Sequence, residues 1–161
     1  MEIEVEMAQI NPVTGDIDRN SERMIEIIKD SNADLIVFPE LAITGYFARD
    51  LVLNDGFVEE NLKAMQRIKE ASSETAAIIG FVEKNHGERY NSAAVIQDGE
   101  IRGTVRKQLL PDYRYFDDPR YFKPGEDQEP VSIEVSGQEV SLGVTICEDM
   151  WDSDYDSRPV E

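Results

Sequence analysis

The sequence has one cysteine, one histidine and few basic residues, and each scarcity excludes a class of chemistry. Cys147 has no second cysteine to pair with, so the 161-residue chain cannot form an internal disulfide bond. His86 alone cannot supply a histidine-cluster metal site. Lys and Arg total 16 against 34 Asp and Glu, which gives a formal net charge of −18. This balance argues against binding to nucleic acid or to an anionic membrane surface.

Long hydrophobic runs are also missing. No apolar stretch approaches the roughly 20 residues of a membrane-spanning helix, and the first residues lack the basic segment of a signal peptide. These absences predict a cytoplasmic protein that does not enter a membrane. Hydrophobic residues nevertheless make up 40% of the chain, which is enough for a globular core, and the length predicts a single domain.

Hydrophobic periodicity predicts an α/β fold. Early buried strands alternate with helices, whereas the later strands form hairpins, one of them turning at Asp98-Gly99. This order favours a layered α/β arrangement over a purely parallel, doubly wound sheet. The predicted elements are strand 3–7, helix 17–30 with Asp16 or Asp18 as N-cap, strand 35–38, helix 57–72, strand 76–81, hairpin 91–96 with 100–106, and hairpin 131–135 with 139–146.

Glu40, Lys107 and Cys147 each follow a predicted strand, and reactive groups gather at strand ends in layered α/β folds. A thiol needs a base, and a carboxylate whose pKa is raised by burial can serve. A lysine ammonium and the backbone N–H of Glu148 could stabilise an oxyanion. The three residues together predict acyl transfer without histidine. Taken singly, none would support this prediction, because such residues are more often a small buried side chain, a solvated or helix-capping carboxylate and an exposed lysine.

Two other candidate sites are weaker. A Cys147–His86 dyad would need a histidine that stands in an Asn-His-Gly turn, where a surface position is the simpler interpretation. The tail carries Asp152, Asp154 and Asp156 at alternate positions, as in the start of a calcium loop, but Ser157 stands where that loop needs glycine. We therefore predict no metal site and a solvated acidic tail.

The segments around the three candidates resemble a known family. Phe38-Pro39-Glu40, Lys107 ahead of Leu110-Pro111, and Cys147-Glu148-Asp149 resemble the Glu, Lys, Cys triad of the nitrilase or carbon–nitrogen hydrolase superfamily. The flanking sequences LAITGY (41–46), YNSA (90–93) and GVTICEDMW (143–151) resemble the glutaminase domains of glutamine-dependent NAD+ synthetases. The similarity runs from residue 7 to residue 151.

The resemblance implies a nitrilase-like αββα layered sandwich. Members of this superfamily are considerably longer than this chain, with further strands and helices after the nucleophile. We therefore expect residues 1–161 to be a single, incomplete carbon–nitrogen hydrolase domain, truncated after the nucleophile strand, with the downstream synthetase domain absent. Apolar surface that the missing layers would cover should then be open.

The resemblance also implies residue roles. Glu40 would take the proton of Cys147, the thiolate would attack the side-chain amide of glutamine, and Lys107 would stabilise the oxyanion. Tyr113, in the long aperiodic loop 108–130, would help to hold glutamine. Asp118 stands where the family often has a second glutamate, and its shorter side chain puts that role in question.

The implied product is ammonia for the ATP-dependent amidation of deamido-NAD to NAD. On this interpretation the chain itself needs no cofactor, and ATP and magnesium serve the absent synthetase domain. The implied partners are glutamine, that synthetase domain or subunit, and further copies in a homo-oligomer. Two alternatives stay open: hydrolysis of another small amide, and a catalytically inactive interaction module.

Overall fold

The computed structural model describes residues 2–126 and 129–154, without the side chains of 152–154. Two α-helices, seven strands and three short 3₁₀ helices make up this part of the chain. In chain order they are β1 (Val5–Met7), α1 (Ile17–Asp30), β2 (Leu35–Val37), a 3₁₀ helix (Arg49–Leu53), α2 (Asp55–Ala71), β3 (Ala76–Asn85), β4 (Glu88–Gln97), β5 (Glu100–Arg106), a 3₁₀ helix (Asp118–Arg120), β6 (Val131–Val135), β7 (Gln138–Leu142) and a 3₁₀ helix (Cys147–Asp154).

The strands form a mixed five-stranded sheet and a separate hairpin. The order of the large sheet is β1-β2-β3-β4-β5. Strands β1, β2 and β3 are parallel, and β3, β4 and β5 are antiparallel. Strands β6 and β7 pair only with each other. The predicted combination of parallel strands followed by hairpins is confirmed.

Both helices cover one face of the large sheet. The Asp16 side chain caps α1 by accepting from the Arg19 N–H, and Asn54 caps α2 by accepting from the Phe57 N–H. The apolar sides of α1 and α2 meet alternate residues of the strands in one cluster, whose members include Met24, Ile28, Met65, Ile68, Ile36, Ala77, Ile79, Ala94 and Ile96. Each fully buried aliphatic side chain contributes about 1.5–3 kcal/mol.

The β6–β7 hairpin covers the opposite face of the sheet. Val95 and Val105 of the large sheet pack against Val131, Ile133 and Val135 of β6. β5 approaches β6 so closely at Gly103 that a Cβ there would lie 2.6 Å from a Val131 methyl. The described residues thus supply three layers, helices, large sheet and hairpin, in the order expected for the first part of an αββα sandwich.

Several predicted bounds are wrong, among them the start of β1, which is at Val5, and the start of α2, which is at Asp55. β7 ends at Leu142 rather than at residue 146, so residues 143–146 approach Cys147 without strand pairing. β3 continues to Asn85 and β4 begins at Glu88, which makes one long hairpin. Ile3, Val5 and Met7 alternate with Glu2, Glu4 and Glu6 in the pattern of a half-buried strand, yet Val5 and Met7 are 50% and 79% exposed. β1 is the edge strand farthest from β5, and the hairpin lies against β5.

Candidate active site

Glu40 is placed by the chain that leaves β2 and crosses β3. The Phe38 N–H donates to the Ile78 carbonyl, and the Ile43 N–H donates to the Gly80 carbonyl. A Cβ at Gly80 would collide with the Pro39 carbonyl oxygen and lie 2.5 Å from the Leu41 nitrogen. Glycine at this position is therefore what lets the Glu40 segment lie directly against β3.

Lys107 extends the row of β5 side chains that faces the hairpin. Its backbone is held on both sides, because its N–H donates to the Asn91 carbonyl and its carbonyl accepts from the Gly125 N–H, each at 2.8 Å. Its side chain is fully buried, and Nζ lies 2.8 Å from Glu40 Oε1 and 2.7 Å from Asp118 Oδ2. Burial opposes the charge on Lys107, but the two carboxylates outweigh it and hold the lysine pKa above its usual value.

Asp118 reaches Lys107 despite its short side chain. Residues 118–120 form a 3₁₀ turn whose first N–H donates to the Pro111 carbonyl, and this turn brings the backbone close to the lysine. Burial raises the pKa of Asp118, and the Lys107 ammonium partly offsets that increase. Sequence analysis left open whether the shorter side chain of Asp118 reaches far enough, and in the structure it contacts Lys107.

Aromatic contacts hold this loop against the segment that follows Glu40. Phe116 packs edge-on against Tyr46 with ring centroids 6.4 Å apart, and Tyr115 lies 6.1 Å from Phe47. The Tyr46 hydroxyl is buried and has no hydrogen-bond partner among the described residues. Burial and the nearby Glu40 charge raise its pKa. The aromatic residues of loop 108–130 therefore fix the position of Asp118.

Cys147 adopts a left-handed backbone conformation with φ of 49°, which is strained for a residue with a side chain. Asp149 braces this turn. Its carboxylate accepts from the Ile146 N–H at 3.1 Å, and also from the Gln108 and Leu109 N–H groups at 3.0 and 2.8 Å. One carboxylate thus ties the segment before Cys147 to the segment after Lys107.

The surroundings of Cys147 favour the protonated form of its thiol. Cys147 is exposed as a whole, but partial burial of its thiol raises the pKa to about 11, and the negative charge of Glu40 adds to the increase, while Lys107 opposes it. The site therefore holds a thiol beside a carboxylate, an arrangement that calls for proton transfer at the moment of attack.

Tyr113 and Glu148 contact each other beside the nucleophile. The Tyr113 hydroxyl donates to Glu148 Oε1 at 2.8 Å, and the Glu148 side chain is buried while the tyrosine ring is half-exposed. The hydrogen bond to Glu148 raises the pKa of Tyr113. Sequence reasoning considered only the backbone N–H of Glu148, whose role in oxyanion stabilisation stays a prediction.

The sequence reasoning missed Asn91. Its Nδ2 donates to Glu40 Oε1 at 2.7 Å. Along β4, the side chains of Asn91, Ala93 and Val95 point to the hairpin side of the sheet. Asn91 directly precedes this apolar pair on the same face, and a buried polar side chain there was the signal that could have identified it. A cavity of about 330 Å³ between the sheet and residues 142–147 is lined by Glu40, Asn91 and Cys147 among others.

His86 and the acidic tail lie apart from this cluster. His86 is exposed in the β3–β4 turn, six residues beyond Gly80, or about 20 Å along an extended strand. The side chains of Asp152 and Asp154, and all of Asp156 and Ser157, lie outside the described residues. Among the residues that are described, no group of three or more His, Cys, Asp or Glu is arranged to hold a metal ion.

Neither α1 nor α2, nor any other helix in the described ranges, has the length and apolarity of a membrane span.

The fold and the grouping of Glu40, Lys107 and Cys147 define a carbon–nitrogen hydrolase. The chain belongs to this family, because the carbon–nitrogen hydrolase family model matches residues 5–154. Within it, the chain is 42% identical over 154 residues to a glutamine-dependent NAD(+) synthetase of Thermotoga maritima and 43% identical over 151 residues to one of Acinetobacter baylyi. These alignments cover 92% and 91% of this chain, but only 26% and 27% of the two relatives.

Solved structures agree with the family assignment. The glutamine-dependent NAD+ synthetase of Acinetobacter baumannii superimposes with a TM-score of 0.83 at 39% identity, over 94% of this chain and 29% of that protein. An amidase from Nesterenkonia sp. superimposes with a TM-score of 0.69 at 19% identity, over 86% of this chain and 54% of that protein. The second similarity shows the fold alone. The predicted nitrilase-like fold class is confirmed.

Proposed function

We propose that this chain is part of a glutaminase: it hydrolyses the side-chain amide of glutamine through a thioester on Cys147. The observation that carries the proposal is a fully buried lysine held between two carboxylates, one of which lines the same cavity as the Cys147 thiol. A buried ammonium is costly unless it is paired, and here both of its partners lie beside the one sulfur nucleophile in the chain. This is an arrangement for acyl transfer rather than for packing.

The first half-reaction forms the thioester. The Cys147 proton moves to Glu40 as Sγ attacks the amide carbon, and the carbonyl oxygen becomes an oxyanion. Lys107 has three N–H donors and gives two of them to Glu40 and Asp118, so one is left for the oxyanion. The backbone N–H of Glu148 is the second proposed donor. The C–N bond then breaks, Glu40 returns its proton to the nitrogen, and ammonia leaves.

The second half-reaction restores the thiol. Glu40 takes a proton from water, the hydroxide equivalent attacks the thioester carbon, and the C–S bond breaks. The proton held by Glu40 returns to sulfur, and glutamate is released. Glu40 is the residue that exchanges protons in both half-reactions.

Two observations support glutamine as the substrate. The relatives are glutamine-dependent synthetases, and the hydrogen-bonded pair of Tyr113 and Glu148 offers a hydroxyl and a buried carboxylate beside the nucleophile. We extend the proposal to the longer protein: a cytoplasmic, homo-oligomeric NAD+ synthetase in which a further domain uses ATP and magnesium to amidate deamido-NAD with the released ammonia.

The test is covalent labelling with a diazoketone analogue of glutamine, with the adduct located by mass spectrometry. We expect one adduct, on Cys147, that excess glutamine suppresses and that Cys147→Ala eliminates. Labelling that an aliphatic amide suppresses and glutamine does not would favour a different small-amide hydrolase. A folded chain that remains unlabelled would favour the inactive interaction module.

A further inference from the structure

Asn91 contacts both residues that the proposed reaction needs besides the nucleophile. Its side chain is 1% exposed, and its Nδ2 donates to Glu40 Oε1 at 2.7 Å. Its backbone carbonyl accepts from the Lys107 N–H at 2.8 Å. The Lys107 Nζ donates to the same Glu40 oxygen at 2.8 Å. Glu40 Oε1 is therefore held by two donors, Asn91 within β4 and Lys107 directly after β5.

The other polar atom of this amide is left without a partner. Asn91 Oδ1 is buried and accepts no hydrogen bond from the described residues. A buried unpaired acceptor is destabilising and needs an explanation. Rotating the amide by half a turn would aim Oδ1 at the Glu40 carboxylate and lose the donor. The orientation of Asn91 is therefore set by Glu40, at the expense of its own acceptor.

Asn61 shows what a structural buried asparagine looks like in this fold. It is fully buried in α2, its Nδ2 donates to the Val82 carbonyl at 2.7 Å, and its Oδ1 accepts from the Val82 N–H at 3.3 Å. Both of its polar atoms are paired with backbone, and neither contacts Glu40, Lys107 or Cys147. Asn91 differs because its donor is given to an ionisable side chain of the site.

We propose that Asn91 is a positioning residue: its hydrogen bond keeps Glu40 Oε1 bound in a fixed position. Oε2 is then the oxygen that exchanges protons with the Cys147 thiol and with the attacking water. This inference rests on the proposed glutaminase function. With Asn91 present, Lys107 and Asn91 fix the carboxylate plane between them. Without it, Lys107 alone holds Oε1 and the carboxylate can rotate away from the thiol.

The experiment compares Asn91→Ala with Asn61→Ala and the native chain. Two quantities are measured with the diazoketone analogue of glutamine: the rate of Cys147 labelling at saturating analogue, and the glutamine concentration that halves it. For Asn91→Ala we expect labelling to slow at least about tenfold, in the range of a misplaced general base, while the protecting glutamine concentration changes less than about twofold. Asn61→Ala should lower the Tm and leave both quantities near their native values.

Asn91→Asp covers the case in which the alanine variant does not fold. It keeps the shape of the side chain but turns an oxygen towards Glu40, so we expect the same slowing. Native labelling rates in either folded Asn91 variant would overturn the positioning role. The positioning role would also be overturned if the protecting glutamine concentration rose by as large a factor as the labelling rate fell, because that pattern indicates a damaged binding pocket.

The failure of this proposal is distinct from failure of the proposed function. If the native chain is labelled, glutamine protects it, and Asn91→Ala behaves as native, only the role of Asn91 is wrong. If the folded native chain is not labelled, or glutamine does not protect it, the glutaminase proposal fails and the role of Asn91 fails with it.

Discussion

Replacing Glu40 by glutamine should change two kinds of cysteine reactivity in opposite directions. The Cys147 pKa is raised from an ordinary 9.0 to about 11, first by burial and second by the charge of Glu40. Glutamine keeps the shape of Glu40 and an oxygen for Lys107 and Asn91, but it removes the charge and the base. The thiol should then ionise more readily, while it loses the group that takes its proton during attack on an amide.

The size of the effect follows from that pKa. The full two-unit increase lowers the thiolate fraction at pH 8 by about a hundredfold, and Glu40 accounts for part of it. For each pH unit by which Glu40→Gln lowers the Cys147 pKa, the thiolate fraction rises about tenfold. Because a thiolate of lower pKa is a weaker nucleophile, the alkylation rate rises only about threefold. Alkylation by iodoacetamide at pH 8 should therefore speed up by about twofold to tenfold, whereas glutamine hydrolysis should fall by about 10²–10⁴.

The assay is the pH dependence of alkylation, followed by mass spectrometry at the single cysteine. The midpoint of the native profile should lie near pH 11, and that of Glu40→Gln should lie lower. Glu88→Gln, an exposed carboxylate of β4, serves as the matched control and should leave the profile unchanged. A native midpoint near 9, or a Glu40→Gln midpoint above the native one, would refute the electrostatic account of the site.

Three further predictions concern two supports of the site and one exposed edge strand. Lys107→Met should leave two partly buried carboxylates uncompensated and lower the free energy of unfolding by about 2–4 kcal/mol, measured by urea unfolding with Lys123→Met as control; an unchanged midpoint would contradict the role of these ion pairs. Asp149→Asn should weaken the bonds to backbone N–H groups on both sides of the site and slow diazoketone labelling more than the exposed-loop variant Asp112→Asn does; equal rates would contradict the brace. Met7→Gln should reduce self-association of the 161-residue chain in light scattering, because Met7 is 79% exposed on an edge strand. Unchanged association would show that another apolar surface is responsible.

Local signals in the sequence predicted the elements well. The α1 cap at Asp16 and the turn at Asp98-Gly99 depend on the residues within a few positions, and both are confirmed. The period-two pattern over residues 3–7 predicted a strand correctly but not which of its faces is covered, since that depends on where the distant β6–β7 hairpin packs. The apolar residues 143–146 have the composition of a strand, yet they lack a pairing partner among the described residues.

The site was only partly predictable. Glu40, Lys107 and Cys147 were identified because each carries a reactive group near the end of a predicted element, and the structure brings them together. The reach of Asp118 depends on a 3₁₀ turn, and the bond from Asn91 to Glu40 depends on the register of β4 against β3 and β5. Neither is encoded by spacing along the chain. That residues 1–161 form one incomplete domain stays a prediction, as do the catalytic roles.

The central claim is that Cys147 carries the glutamyl group during turnover, and the most direct measurement is the intact mass of the chain after mixing with glutamine and quenching in acid. We predict a fraction of chains heavier by one glutamyl group, attached to Cys147 and absent from Cys147→Ala and Glu40→Gln. Release of ammonia from glutamine by the native chain with no such adduct, or with undiminished activity in Cys147→Ala, would contradict the account.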